Sequence, residues 1–481
     1  MNIMKLRNSR LTFLAAGLLV IASSLSAQEP ETPEPPKPAG RGIPAMDDAT
    51  AEDQNKALDP LGGWNADTTP LTGMQTPTIG SPNLRHSYWV PGFQYSNSIQ
   101  DQPSGTGSSG GWNTNNYFGA NLSVVQQLNR SQLELNLSAG GFVTNQPGQT
   151  NGWYQQLAFS ELYSWRRWQI QILDQFSYLP ESQFGFGGGT GLGAPGVGGS
   201  LGPGIPGVGG TVSPNQSVYA AVGPRYSNSL VTQATYQTSA RGSITISGSY
   251  GLLHFTQSGN VDTDTYYGSI GYNYQLTKQD SIGLFYRFAA FHYRSQPQAM
   301  GDHVVNAAYS RKITKRLAFQ VFGGPDVTQY RVPIGNQSQT VSASGGVNLS
   351  SAFQNGSFSL SYFHAQSGGS GVLIGSNTDQ VTLAAARRLT RVWGVHGNFG
   401  YAENRTLATQ AGIQGSDYGS YFVGGGVDRP IGRNVNFSVA YTAQIQQTSP
   451  TVCTTPGCNT SFTQNIVTIN FQWHTNPFAL Q

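Results

Sequence analysis

The feature that most constrains this chain is a two-residue alternation of side chains in residues 265–294. One phase is apolar or aromatic and the other is polar or small, as in Tyr266, Ile270 and Tyr272 against Ser269, Gly271 and Asn273. A polar step at 277–280 separates this run from a second alternation that carries Ile282, Leu284, Tyr286 and Phe288. Successive side chains of an extended chain leave opposite faces, so period two predicts strands. Two such runs joined by a short polar step predict an antiparallel hairpin with its turn at Lys278-Gln279.

Similar runs follow one another from about residue 84 onward and predict about 18 strands, with about 16 as the alternative. Short connections, such as those at Asn129-Arg130 and Arg166-Arg167, alternate with long ones, such as 180–216 and 331–337. Outer-membrane barrels combine short periplasmic turns, longer external loops and an even number of strands. The chain is therefore expected to be an all-β, transmembrane, antiparallel up-and-down β-barrel.

The composition agrees with a wall between lipid and water. Charged residues make up 10% of the chain and hydrophobic residues 37%, against about 25% charged residues in ordinary soluble proteins. Uncharged polar side chains on one face and aromatic side chains on the other suit a barrel in a membrane. A soluble all-β protein is the alternative. After residue 27 no window offers the ~20 apolar residues of a membrane helix.

Three segments are predicted along the chain. Residues 1–27 read as a secretory signal, with Lys5, Arg7 and Arg10 before an apolar stretch and small residues before the expected cleavage site. Residues 28–83 are Pro-rich and lack periodicity, which predicts a disordered periplasmic segment. Residues 84–481 form the predicted barrel. The signal carries three basic residues and no acid, so the mature chain has as many acidic as basic residues, and nothing suggests nucleic-acid binding.

The phase of each strand predicts which side chains face the lumen. Leu133, Leu135 and Leu137 are expected to face lipid, which turns Glu134 inward. Phe285, Arg287 and Phe291 share the inward phase of one strand. They could form an aromatic track for sugars beside a cation, or pack against an inserted loop.

Two acidic residues break the pattern. Glu161 and Asp174 fall in the apolar phase of their strands, where charge would face lipid. A β-bulge that shifts the phase or a neighbouring protomer that covers them would resolve this conflict.

The segment 180–216 is expected to be a flexible Gly-rich loop, either folded into the lumen or projecting outward. It contains matches to G-x-S-x-G and G-x-G-x-x-G, but neither the strand-to-helix context nor the partner residues of those motifs accompany them. We therefore expect no enzyme activity and no cofactor. Cys453 and Cys458 flank a Pro-Gly turn, and in an exported protein such a pair is expected to form a disulfide.

The recurring unit of an aromatic-rich strand, a short turn such as QLTKQDS or KITKRLA, and a second aromatic-rich strand resembles outer-membrane β-barrel porin families of the exopolysaccharide-associated type. The resemblance implies porin-like passage of small hydrophilic solutes, with saccharides among the candidates and weak charge selectivity. A plugged barrel that acts as a surface interaction or polysaccharide-export accessory protein is the alternative. The expected partners are outer-membrane lipids, the barrel-assembly machinery, the solutes and, as an open question, further copies of the chain. The expected location is the Gram-negative outer membrane, with residues 28–83 in the periplasm.

Overall fold

The computed structural model describes thirteen stretches of the chain, all within residues 87–480. They are residues 87–101, 111–145, 150–179, 224–256, 261–294, 296–314, 316–334, 337–353, 355–368, 374–390, 392–407, 417–448 and 461–480. The predicted signal, the Pro-rich segment, the Gly-rich loop 180–216 and both cysteines lie outside these stretches. Within them, no helix has the length and apolar character needed to span a bilayer.

The described residues form eighteen long strands and one two-residue strand. Their bounds are β1 Tyr88–Asp101, β2 Trp112–Gln127, β3 Ser131–Thr144, β4 Gly152–Trp165, β5 Trp168–Leu179, β6 Arg225–Gln237, β7 Gly242–Phe255, β8 Thr263–Gln275, β9 Asp280–Tyr293, β10 Ala299–Lys312, β11 Leu317–Ile334, β12 Gln337–Phe353, β13 Gly356–Ser367, β14 Ser376–Arg388, β15 Gly394–Thr406, β16 Tyr418–Ile431, β17 Val435–Thr448, β18 Phe462–His474 and β19 Phe478–Ala479. The all-β fold class is confirmed.

The sheet closes on itself. Each strand from β1 to β18 pairs antiparallel with the next, as in β8–β9 and β17–β18. β18 in turn pairs with β1, from Gly92 opposite His474 to Gln100 opposite Ile466. Asn465 donates to Asp101 across this seam through its backbone N–H and its side-chain amide. A closed sheet has no open edge, so every strand finds hydrogen-bond partners on both sides without water, as a membrane requires.

The two faces of the barrel differ in chemistry. Side chains of one phase are exposed and mostly apolar, such as Ile246, Ile270, Leu284, Val305, Val347 and Val423. Side chains of the other phase are buried and largely polar without charge, such as Ser96, Asn115, Ser138, Thr245, Ser269, Thr378 and Gln444. The alternation places the apolar set outside and the polar set inside, so the outer wall suits lipid and the inner wall suits water.

Aromatic pairs mark both ends of the outer face. At the end with the short turns, Trp168 lies 4.8 Å from Tyr236, and Arg429 lies over the Trp393 ring. β19 brings Phe478 onto Trp89 of β1 at the same end, with ring centroids 4.8 Å apart. At the opposite end, Trp153 packs 4.5 Å from Tyr178 and Tyr250 packs 5.2 Å from Tyr266. Aromatic girdles of this kind lie at the two membrane–water interfaces of a barrel.

Four of the short turns use one hydrogen-bond pattern. Between β8 and β9, the Thr277 hydroxyl accepts hydrogen bonds from the backbone N–H groups of Gln279 and Asp280, at 3.1 and 2.9 Å. Ser239, Thr314 and Thr390 occupy the corresponding positions in their turns and accept the same two bonds. The hydroxyl satisfies backbone donors that the sheet leaves unpaired, which explains why Ser or Thr recurs there.

One predicted connection is wrong. The sequence placed a long external loop at 331–337, but β11 continues to Ile334 and β12 begins at Gln337. These are the longest strands, with 18 and 17 residues. The pairing shifts register between Gln329 and Ile334. The irregular register explains the miss, because a shifted pairing interrupts the two-residue alternation that marks a strand.

The structure also excludes one of the two explanations for the acidic residues. The pairing of β4 with β5 runs without a shift from Gln155–Tyr178 to Trp165–Trp168, so no bulge changes the phase. Glu161 and Asp174 therefore stay in the outward phase. Asn228 of β6, in the same phase, donates a hydrogen bond of 3.0 Å to Asp174. A β-bulge is excluded at this place.

A polar rim lies beyond the apolar belt, on the outward face at the end with the long connections. Tyr250 donates to Asp264, and Arg294 makes two hydrogen bonds to the same carboxylate at 2.7 and 3.0 Å. These bonds to Asp264 raise the pKa of the Arg294 guanidinium. Tyr362 and Arg405 flank Asp379 in a similar arrangement on β13–β15.

Candidate lumenal site

A charged site lies on the inner wall of β9, β10 and β11. Arg287 donates from Nη2 to Oδ2 of Asp302 at 2.7 Å, and the two side chains are 8% and 0% exposed. Arg287 and Asp326 both lie opposite Val304, one on each side of β10. Neighbouring strands lie about 4.8 Å apart, which puts the two side chains on one short row across the wall.

The two carboxyl groups of this site lie close to each other. Asp326 is fully buried and interacts electrostatically with Asp302 and Arg287. It also has side-chain hydrogen bonds with Asp302 and Thr328. Two like charges in contact inside a barrel wall are unfavourable, and the Arg287 guanidinium, which bonds to Asp302, offsets part of that cost.

Apolar residues border the charged site on the side of the long connections. Phe291, Tyr293, Met300 and Tyr330 join Leu173, Val231, Tyr267, Ala289 and Ile374 in one buried cluster. Ile374 belongs to the connection between β13 and β14, four strands away from β9. Ile374, at the described end of this connection, therefore packs against residues on the inner wall of β9 and β10.

Two glycines allow the described ends of this connection to lie close to the inner wall. A Cβ at Gly368 would come within 2.5 Å of Phe291 Cδ1, and a Cβ at Gly375 would collide with the Met300 methyl group. Gly375 also has φ of 73°, a conformation that a residue with a side chain rarely adopts. Gly368 and Gly375, at the two described ends of the β13–β14 connection, thus lie against Phe291 and Met300 on the inner wall.

On the other side of the charged site, Phe285 faces Phe322 with ring centroids 6.3 Å apart. A separate aromatic cluster of Tyr117, Phe142 and Tyr154 lies on the inner wall of β2–β4, where Gln94 donates to the Tyr154 hydroxyl at 3.2 Å. The inner wall is therefore mostly polar and uncharged, with aromatic patches on two sides.

The residues that the sequence predicted to line the lumen, and the predicted disulfide, are placed as follows. Phe285, Arg287 and Phe291 are buried on the inward phase of β9, at 5%, 7% and 2% exposure. The backbone of Glu134 lies in the same phase of β3 as the buried Ser138, and its side chain is not described. Cys453 and Cys458 lie outside the described residues, so their disulfide stays a prediction.

Asp302 and Asp326 were missed by the sequence reasoning. The signal was present, because Asp302 is out of phase with the outward side chains His303, Val305 and Tyr309. An aspartate in that phase of a lipid-spanning strand has to face the lumen.

No metal site accompanies the charged site. Within the stretches that the structure describes, no group of three or more His, Cys, Asp or Glu side chains could hold a metal ion. The available chemistry is that of two carboxylates, one guanidinium and several hydroxyl and amide groups.

Together, the closed sheet, the apolar outer wall and the polar inner wall define a membrane-spanning β-barrel of eighteen strands. No protein-family model matches the chain, and the search of curated proteins finds no match either.

Among solved structures, Pseudomonas aeruginosa OpdQ is similar at 7% identity and a TM-score of 0.41, over 82% of this chain and 100% of that chain. Acinetobacter baumannii OccAB2 is similar at 12% identity and a TM-score of 0.41, over 81% and 98%. Pseudomonas aeruginosa OccK2 (OpdF), in complex with glucuronate, is similar at 9% identity and a TM-score of 0.41, over 80% and 98%. These values are too low to transfer a property from those proteins to this chain.

Proposed function

We propose that the chain is an outer-membrane channel for passive passage of small hydrophilic solutes. The observation that carries this proposal is the polar and mostly uncharged inner wall inside a closed barrel of eighteen strands. Barrels of about 16–18 strands are wide enough to enclose an aqueous channel. The Gram-negative outer membrane is the bilayer that such barrels span, and insertion there requires the barrel-assembly machinery.

The class of solute follows from the inner wall. Ser, Thr, Asn and Gln side chains offer hydrogen bonds to hydroxyl-rich or otherwise polar solutes, so saccharides belong to the proposed class. Most of the inner wall carries few fixed charges that would focus an electric field. We therefore expect weak overall charge selectivity. In the part of the chain that the structure describes, the wall carries no arrangement that we assign to catalysis, and we propose transport rather than enzyme activity.

The plugged barrel is the second candidate, and one observation favours it. Ile374 and Gly375 pack on Tyr293 and Met300 of the inner wall, an arrangement that would narrow the passage at the external end. If this narrowing closes the barrel, the surface connections would serve as binding elements, and a polysaccharide-export accessory role would be the corresponding function.

Planar-bilayer recording of the purified full chain separates the two candidates. Steady stepwise openings, together with swelling of liposomes in small sugars but not in large ones, would support the channel. A barrel that is folded by circular dichroism yet electrically silent and impermeable to sugars would overturn it and leave the plugged barrel.

A further inference from the structure

The short turns at one end of the barrel carry exposed positive charge. The turns that follow β2, β4, β6, β8, β10 and β16 each hold an exposed Lys or Arg. These residues, which we call the basic ring, include Arg130, Arg167, Arg241, Lys278, Arg316 and Arg433. By sequence, none of the six turns contains Asp or Glu. The rim at the opposite end is different, because Asp262, Asp264 and Asp379 lie there beside Arg294 and Arg405. The two ends of the barrel therefore differ in charge.

Neighbouring turns of the basic ring are held side by side by backbone hydrogen bonds. Ser164 donates its N–H to the carbonyl of Arg130 at 2.7 Å, and Gln237 donates its N–H to the carbonyl of Arg167 at 2.8 Å. Successive short turns are two strands apart, or about 10 Å. This spacing is similar to the Debye length of about 10 Å at 0.1 M salt. The charges of neighbouring turns therefore add to one positive potential.

The aromatic girdle at the same end places these charges at the membrane surface. The Arg429 guanidinium lies 4.9 Å from the ring centroid of Trp393, and that of Arg166 lies 5.8 Å from the ring centroid of Trp165. Tryptophan in such a belt marks the level of the lipid headgroups. Among the described residues, the pair of Arg311 with Asp280 at 3.7 Å is the one ion pair that a Lys or Arg makes at this end. Most of the positive charge thus faces the headgroup region without a carboxylate beside it.

We propose that the basic ring binds the headgroups of anionic phospholipids in the leaflet on the side of the short turns. This partner is continuous with the lipid that covers the apolar outer wall, and its charge is opposite to that of the ring. One Lys or Arg near an anionic membrane surface raises binding by roughly fivefold. The inference goes beyond the proposed channel and does not depend on it, since an electrically silent barrel presents the same ring.

Quenching of tryptophan fluorescence by brominated lipids tests the proposal in the full chain, reconstituted in vesicles. Trp112→Phe and Trp153→Phe form the background, because they leave the described tryptophans only at the short-turn end. Brominated phosphatidylglycerol and brominated phosphatidylcholine are the anionic and zwitterionic probes. We expect the anionic lipid to associate about threefold more strongly at low salt, which is less than fivefold because lipid between the turns gains little. About 1 M salt should bring the ratio close to unity, because the Debye length falls to about 3 Å.

The test variant combines Arg130→Gln, Arg167→Gln and Arg241→Gln. Each of these residues accepts a hydrogen bond through its backbone carbonyl, which glutamine keeps. The ratio of association constants should fall at least halfway to unity.

The matched control combines Arg294→Gln, Arg331→Gln and Arg405→Gln, which remove the same charge from the opposite end and should leave the ratio at its wild-type value. Equal ratios in the two triple variants, or a preference that survives about 1 M salt, would overturn the proposal. A folded wild-type barrel without preference for the anionic lipid would also overturn it and leave an acidic soluble partner as the alternative occupant of the ring.

Discussion

The backbone of Gly368, just beyond β13, lies against the ring of Phe291 on β9, so close that a Cβ at position 368 would come within 2.5 Å of Phe291 Cδ1. The two residues are 77 positions apart in the sequence and on strands that are not neighbours. Their contact shows that the chain just beyond β13 packs on the inner wall at β9, four strands away. The narrowest part of the described lumen is expected at this contact.

The first prediction concerns pore width. Phe291→Ala should raise single-channel conductance, because it removes the ring on which the β13–β14 connection packs. It should also lower the free energy of unfolding by about 3 kcal/mol, as for other buried aromatic residues. Phe288→Ala, on the outward phase of the same strand, is the control and should leave conductance unchanged. Equal conductance for both variants would show that this contact does not limit the current.

The second prediction compares two glycines with the same backbone conformation. Gly375 and Gly432 have φ of 73° and 76°, but only Gly375 has neighbours in the space of a Cβ. Gly432→Ala should cost about 1 kcal/mol of stability from backbone strain alone. Gly375→Ala should cost clearly more than Gly432→Ala in the wild type, but not in a Met300→Ala background, where the colliding methyl group is absent. Urea unfolding in detergent measures the free energy of unfolding of these variants and of Met300→Ala itself. Equal costs for the two glycine substitutions in the wild type would contradict the collision.

The third prediction concerns the short turns. Thr277→Val should lower stability by about 1 kcal/mol, because the backbone N–H groups of Gln279 and Asp280 lose their acceptor. Thr277→Ser keeps the hydroxyl and should unfold close to the wild type. If Thr277→Val and Thr277→Ser have the same free energy of unfolding in urea, the hydroxyl does not stabilise the turn.

The fourth prediction concerns the polar residues on the lipid-facing wall. Asp174→Leu should raise stability by about 1 kcal/mol, since a carboxylate facing lipid is unfavourable. Asn228→Leu should lower it, because Asp174 loses its donor at 3.0 Å. If Asp174→Leu instead lowers stability and light scattering shows a smaller particle, a second copy of the chain covers this wall.

The fifth prediction concerns the cysteine pair. Alkylation of the unfolded, non-reduced protein should modify neither Cys453 nor Cys458, and reduction should make both reactive. Mass spectrometry counts the added groups. Modification of both residues without reduction would exclude the disulfide, with the reduced sample as the positive control.

Strand positions and faces follow largely from the sequence. The run around Tyr266 and Leu284 predicts a hairpin because period two is a local property of an extended chain. The turn at Thr277–Asp280 is also a local feature of the sequence. Because similar short turns recur along the chain, successive strands run in opposite directions. The 331–337 connection was misjudged because the register shift after Gln329 interrupts the alternation.

The sequence by itself therefore determined an antiparallel barrel with a polar inside and an apolar outside, since both depend on residues near one another in the chain. The tertiary structure alone decided that Arg287 bonds to Asp302 near Asp326, and that Gly368 and Gly375 pack on Phe291 and Met300. These contacts join residues on different strands, and their geometry depends on the pairing register and on the path of a connection through the lumen. The pairing register and the path of the connection leave no periodic pattern in the sequence. A single charged residue or a single glycine at a given position is compatible with many registers.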